Sequence, residues 1–498
     1  MKHRNIKNFI VGLLSQVIIL ILGFVVPRII LTHYGSDTNG LMNTITQIFT
    51  YMALLEAGIS NASRNALYKH IINDDKQEIS VIMSASRRYY RKISYIYLAA
   101  VIILAVVVPF ILRTEIDYWT IFFFVLFEGL TSVVAFYFIN TWTCLLTASG
   151  KSYITNALTL LNKVLCYGVR IVLALYTINI AFIQVGYFAV SLIQLGIYYV
   201  YMHKKYSWID YNAAPKEYKL ADRNSYILSE IAWTVFSSTD LIILSIFVST
   251  SLSSVYSTYN MIFVALNGLL NSVYSALYYN LGQTYHTDIN RYKRLHDQFN
   301  SIFVGGMTAM LCVAYWLTLP FVSLYTEGVT DINYMYHWLP LMFCLTQLLA
   351  WSRYISGNLA NVAGYAKPVS RYSIVEAAIN LIGSIILVQF FDIMGVLIAT
   401  VVALPARLIY TNYIADIKVM KRKPWKTISI LGVNYAIFAA TVLIKELVAD
   451  IVVENYWQFI VAGLVLAVGY SIVVIVLNVL VNRDLLSLFK KVLRRKSA

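Results

Sequence analysis

The sequence predicts an all-α polytopic membrane protein of about fourteen transmembrane helices, and three observations predict it. Of 498 residues, 59% are hydrophobic and only 13% charged, where soluble domains carry about a quarter charged. Apolar runs near ~20 residues, the length a helix needs to cross a bilayer, recur along the whole chain. Basic residues gather in every second connection between those runs. With a mean hydropathy of +0.68, these features exclude a soluble enzyme, a disordered chain and a nucleic-acid-binding domain. A transmembrane barrel is excluded too, because its strands would read as short alternating segments.

In chain order the spans are expected at 9–31, 40–62, 93–112, 118–147, 154–176, 181–201, 227–248 and 255–281, then 299–325, 334–358, 372–391, 395–415, 428–448 and 457–481. The first follows a basic start, Met1-Lys2-His3-Arg4, but its run is too long for a signal sequence and lacks a small-residue cleavage site. It is read as a retained span. An even number of spans puts both termini on one side. The N-terminus, the even-numbered connections and the C-terminus hold about 32 of the 39 Lys+Arg. Arg87-Arg88, Lys204-Lys205, Lys421-Arg422-Lys423 and Arg494-Arg495-Lys496 are among them. Basic connections stay cytoplasmic, so both termini are expected inside. The net charge of +15 is then an orientation signal with a contribution from anionic lipid heads, and no nucleic-acid partner is expected.

Repetition organises the spans. Ile29-Ile30-Leu31, a polar turn and a run ending Ala66-Leu67-Tyr68 are echoed by Ile242-Ile243-Leu244, a Ser/Thr turn and a run ending Ala276-Leu277-Tyr278. The expected domains are a six-helix lobe at 1–202, a cytoplasmic linker at 203–226, a second six-helix lobe at 227–416, and two additional helices with a basic tail at 417–498. Two such halves would be related by a pseudo-twofold axis along the membrane normal, with a substrate cavity between them. The linker mixes Tyr206, Trp208, Tyr211 and Tyr218 with Lys204, Lys205, Lys216 and Lys219. It suits either an amphipathic segment on the inner membrane surface or a solvated connection.

Polar residues inside the spans are the functional candidates, because a charge in mid-membrane normally faces a cavity or a partner. Asn156, Lys163 and Arg170 stand seven residues apart on one face of span five. The two cations, roughly 10 Å apart at the helical rise, either hold a diphosphate or pair with carboxylates such as Glu56 and Glu128. Arg28, after Pro27, either snorkels outward or lines a cavity. Arg353 and Arg407 extend the cationic set into the second half. Asn260, Asn267, Asn271 and Tyr274 form a stripe on span eight that suits sugar hydroxyls or interhelical packing equally. Glu56, Glu128, Asp240 and Glu376 are the candidate sites for a coupling H+ or Na+. Glu376 shares a helix face with Asn380. The four cysteines lie far apart in apolar segments, so no disulfide, metal site or cofactor is expected.

Pro27-Arg28-Ile29-Ile30-Leu31-Thr32-His33-Tyr34-Gly35, with Asn39-Gly40-Leu41, Leu55-Glu56-Ala57-Gly58-Ile59-Ser60 and Ala66-Leu67-Tyr68, resembles the first two spans of bacterial polysaccharide transporters. These are the Wzx-type lipid-linked oligosaccharide flippases of the multidrug/oligosaccharidyl-lipid/polysaccharide superfamily. The resemblance implies two lobes around a cationic cavity, alternating access and a place in the bacterial plasma membrane. It also implies an undecaprenyl-diphosphate-linked oligosaccharide as cargo, for a capsule, exopolysaccharide or teichoic-acid-like polymer. Arg28 matches an arginine that related lipid II flippases carry ahead of the glycine turn, and Glu56 matches their carboxylate before a glycine. Those flippases also carry an arginine in span eight, where Tyr259-Asn260-Met261 stands here, which argues against lipid II as the cargo.

Two other functions compete. A multidrug and toxin extrusion antiporter favours a carboxylate-lined cavity and usually twelve spans. A membrane polymerase or ligase would carry a large outward loop, and an acyltransferase an intramembrane histidine. All seven histidines lie in connections or near span ends, and no Walker A motif is present. The expectation is a non-enzymatic transporter, working with membrane lipids and with other polysaccharide-assembly membrane proteins.

Overall fold

The computed structural model describes residues 2–56, 59–213, 234, 239–448 and 451–486. No strand occurs among them; the chain is helical apart from short turns. Among the described residues, nine helices are long and apolar enough to cross a membrane. Two of these, Leu14–Met52 and Lys367–Val419, are double legs, each bent in the middle and covering two expected spans. The expected spans at 255–281 and 334–358 fall on further helices, and that at 227–248 is described only at 234 and 239–248. The chain is therefore an all-helical, multi-pass membrane protein. It divides into two compact units, Met1–Ser254 and Val255–Ala498.

The first unit contains α1 (Lys2–Met52), α2 (Ile59–Ile72), α3 (Lys76–Ile111), α4 (Tyr118–Val134), α5 (Asn140–Ala148), α6 (Ser152–Leu175), α7 (Ile180–Lys205) and α8 (239–247). α1 bends at Gly35, whose φ of 80° glycine adopts without a Cβ penalty. Asp75, Asp117 and Asn179 cap α3, α4 and α7 by accepting backbone N–H groups of the first turn. Those bonds hold the Asp75 and Asp117 carboxyls below the usual carboxylate range: Asp75 accepts chiefly from the Glu78 amide, Asp117 from the Thr120 hydroxyl and amide. The core stacks Val26, Ile30 and Leu41 of α1 on Tyr97 and Val101 of α3, Phe124 of α4 and Ile183 of α7. Gly129 lets α4 close on α3; a Cβ there would lie 2.4 Å from Val101. Such small-residue contacts substitute for a hydrophobic drive that lipid does not supply.

The expected linker is described only to residue 213; the rest lies outside the described residues. Its first part packs on protein. Tyr206 accepts a hydrogen bond from Lys151 (2.7 Å), Tyr211 accepts one from the Trp142 indole (3.1 Å), and the Ser84 hydroxyl donates to the Tyr211 and Ala213 carbonyls. Arg87 lies 4.6 Å above the Tyr211 ring.

Most of α9 (Thr250–Thr287) lies in the second unit, with α10 (Ile289–Tyr325), α11 (Leu339–Trp351), α12 (Tyr354–Val362), α13 (Ala366–Tyr413), α14 (Trp425–Leu447) and α15 (Tyr456–Val481). α10 is its buried centre, packed by α11, α14 and α15. The tenth span departs from expectation. It begins at Leu339, with Pro340 in its first turn, and not at residue 334, and it breaks at Ser352-Arg353 before resuming as α12. α13 bends at Asp392, separating spans eleven and twelve. The last two helices are zipped together by reciprocal amide bonds between Asn434 and Asn478, 3.0 and 3.1 Å. Asn482 continues the line onto α10 through the Ser301 hydroxyl and the Asp297 carbonyl, both at 3.0 Å. Interhelical bonds of this kind contribute about 0.6 kcal/mol each, and up to ~1.7 kcal/mol.

Candidate functional site

In the first unit, α4, α6 and α7 bring charge together inside the lobe. The Arg170 guanidinium donates to the Gln184 side-chain oxygen at 3.0 Å and lies 3.6 Å from the Glu128 carboxylate. Gln184, fully buried, closes the triangle by donating its amide to Glu128. The guanidinium also rests 4.3 Å from the Tyr187 ring centre, and its Nε is buried with no hydrogen-bond acceptor. Lys163, two turns earlier on α6, lies 5.9 Å from the Tyr167 ring centre. Asn156 lies half-buried a further two turns back. Arg28 lies half-buried on α1, which packs along α6. Arg170 is thus paired with Glu128, whereas Lys163 lies by the Tyr167 ring with no ion pair to a described carboxylate. Of the two readings of the stripe, carboxylate pairing applies to Arg170; Glu56 belongs elsewhere.

Glu56 lies at the basic-loop end of the first unit, where it accepts from the Tyr90 hydroxyl (3.0 Å) and the Asn140 amide (2.8 Å). Asp240 is buried on α8, beside Thr239, whose hydroxyl is hydrogen-bonded to Tyr51.

A third polar cluster of this unit was not among the sequence candidates. At the short-loop end, Asp37 accepts from the Thr114 hydroxyl (2.7 Å), the Glu115 amide (2.9 Å) and the hydroxyls of Thr250 and Ser251. Asn39 donates to Ser254 (2.7 Å), Thr44 is hydrogen-bonded to Ser245 (2.5 Å), and the Arg113 backbone bonds to Ser245 and Thr250. Gly40 makes the approach possible: a Cβ there would sit 1.7 Å from the Thr250 carbonyl oxygen. The dense Ser/Thr content of 249–258 was the available signal.

In the second unit, Glu376 of α13 is buried between two arginines from separate elements. Arg353, in the break after α11, donates to one carboxylate oxygen at 3.0 Å; Arg407, from the far leg of α13, stands 3.5 Å from the other. Asn380, one turn on, turns to Thr400 instead, at 2.7 Å. Tyr354 stacks on Trp351 with ring centres 4.0 Å apart, and Tyr274 meets Tyr354 edge-on at 5.2 Å. The Trp351 indole donates to Asn267 at 2.6 Å. Asn267 and Tyr274 of the span-eight stripe therefore reach this group. Asn260 is half-buried a further two turns from Asn267, and Asn271 is exposed.

Near the basic-loop end of the second unit, Arg422 is clamped by Asp297 in a two-pronged pair (2.6 and 2.7 Å) and by Asp416 at 2.8 Å. His296 lies 3.3 Å from Asp297. Burial opposes the charge on Arg422, but the hydrogen bonds and charges of Asp297 and Asp416 outweigh it and hold its pKa above the usual value. This cluster fastens α10 to the chain entering α14. The four cysteines are buried free thiols, and no group of metal-ligating side chains occurs among the described residues.

No family model and no curated protein matches this sequence. Solved structures do. A structure described as the lipid II flippase MurJ in an inward closed conformation superposes with a TM-score of 0.70 at 12% identity, covering 96% of this chain and 100% of that one. An inward-facing multidrug resistance MATE family transporter of the MOP superfamily gives 0.60 at 12% identity, over 84% and 98%. A MOP superfamily transporter from Pyrococcus furiosus, whose binding pocket is described as reversed in polarity, gives 0.52 at 12%, over 84% and 95%. The chain has the fold of the MOP transporters.

Proposed function

We propose that this chain is a flippase that moves undecaprenyl-diphosphate-linked oligosaccharide repeat units from the inner to the outer leaflet by alternating access, supplying a cell-surface polysaccharide. The observation that carries the reading is the half-buried Lys163–Arg170 face of α6, where Arg170 is paired with Glu128 and Lys163 lies by the Tyr167 ring. Arg28 stands on the adjacent helix α1, and guanidinium and ammonium donors of this kind suit a diphosphate. The polyprenyl chain would stay in lipid while the head group passes along the lobe. In this reading the protein resides in the bacterial plasma membrane with both termini cytoplasmic. It works beside other polysaccharide-assembly proteins and is driven by an H+ or Na+ gradient, by the membrane potential or by downhill consumption of the flipped product.

The multidrug-antiporter alternative needs carboxylates open to a cationic drug. Here Glu56, Glu128 and Glu376 are each engaged by donors or cations, which favours the flippase. The test is a lipid extract from cells depleted of the protein, analysed by mass spectrometry. The flippase predicts accumulation of one complete lipid-linked repeat unit with loss of surface polymer. An unchanged extract with new sensitivity to cationic dyes would contradict it and favour the antiporter.

A further inference from the structure

The group around Glu376 has a charge balance and a set of neighbours that the diphosphate does not use. Two guanidiniums, Arg353 and Arg407, face one carboxylate, so among the described residues this group carries one positive charge in excess. Among the described residues, Tyr354 is a further titratable side chain against them. Arg353 is 5% exposed and its second terminal nitrogen, Nη1, is buried with no acceptor; Arg407 Nε is also buried without one. A buried guanidinium with open donors is costly unless an anion completes it. Arg407 is the partner a ligand would reach: its side chain is 25% exposed and its contact to Glu376, at 3.5 Å, is the looser of the two.

Ring and amide surfaces lie next to that charge. Tyr354 is half-buried, with Tyr274 at its edge, and Asn267 holds the Trp351 indole in place beneath. Flat aromatic faces pack the C–H faces of a sugar ring, while amides and tyrosine hydroxyls meet its hydroxyls. An excess of one charge matches a carboxylate, which a guanidinium binds with two parallel hydrogen bonds.

We propose that Arg353 and Arg407, braced by Glu376 and bordered by Tyr354 and Tyr274, form a subsite for a carboxylate-bearing sugar, so that the cargo glycan is acidic. The proposal rests on the flippase reading and names its substrate class. In this arrangement Glu376 occupies the arginines when no sugar is bound, and a uronate carboxylate competes with it for Arg407.

The test uses the full chain in lipid nanodiscs and measures binding of two soluble probes of equal length. One is a hyaluronan tetrasaccharide, which carries uronates; the other is neutral chitotetraose. Wild-type protein should bind the acidic probe at least about tenfold more tightly. Arg407→Ala should erase that preference, and Glu376→Gln, which removes the competing carboxylate, should strengthen acidic binding. The second variant keeps the test decisive if the first does not fold. Equal binding of the two tetrasaccharides, or a preference untouched by Arg407→Ala, would overturn the subsite. Pyrophosphate displacing the acidic probe through Arg407 would also overturn it, in favour of a second head-group site. The flippase reading itself fails by a separate route, the unchanged lipid extract, so the two failures are told apart.

Discussion

Arg170 makes three contacts at once, to Gln184, Glu128 and the Tyr187 ring. Its removal leaves the half-buried Glu128 with the Gln184 amide, at less than the about 3–5 kcal/mol that breaking a fully buried pair costs. Lys163 has no such structural bond, so Lys163→Ala separates function from folding more cleanly. Both variants are expected to insert normally and to lose transport by about tenfold or more, read as surface polymer per unit of membrane-inserted protein. Wild-type transport in the double alanine variant would remove the anion site. Arg422 gives the opposite pattern. Arg422→Met leaves Asp416 buried without its cation and Asp297 with only Lys426 at 3.8 Å and His296 at 3.3 Å, and thermal unfolding of the detergent-purified protein should show a loss of about 3–5 kcal/mol.

At the scale of elements, the Asp37 cluster ties the turn of α1 to the α8–α9 connection and to residues 113–115. Asp37→Asn keeps the shape but gives up part of the acceptor capacity, weakening hydrogen bonds that contribute about 1.5–3 kcal/mol each when made to a charged group. Amides at 245–254 should then exchange faster with deuterium, while those of the α3–α4 core should not change. The spans themselves were legible because the bilayer dictates an apolar length whatever the neighbours are. So was the break at Gly35, placed in a polar turn. The break at Ser352-Arg353 and the π-helical stretch at Ala135–Ile139 were not, since neither carries a proline or a glycine turn and packing imposes the irregularity. Charge partners were legible only as options. Glu128 was named as a partner for the span-five cations, but Gln184 passed as an ordinary residue of an apolar run. Arg422 sat in a basic run that reads as an orientation signal, while its partner Asp297 lies 125 residues away. The Arg353–Glu376–Arg407 group was three separate candidates until the helix break and the α13 bend put them side by side.

For the whole molecule, the charge asymmetry across the connections predicts that reporter domains fused at either terminus, or inserted after Ser149, report the cytoplasm. A reporter in the 113–117 connection should report the outside. A reversed pattern would invert every statement about which leaflet the cargo leaves. In the proposed reading, the cations of each unit, beside aromatic and amide side chains, suit a lipid-linked anionic glycan as cargo. Reconstituted protein decides this most directly. Proteoliposomes holding the pure chain and a fluorescent undecaprenyl-diphosphate oligosaccharide, extracted from the depleted cells, are treated with a membrane-impermeant quencher after a gradient is imposed. Transfer of the label between leaflets that needs the protein and is lost in Lys163→Ala/Arg170→Ala is the predicted result. Transfer at the same rate in protein-free vesicles or in the double variant would contradict it.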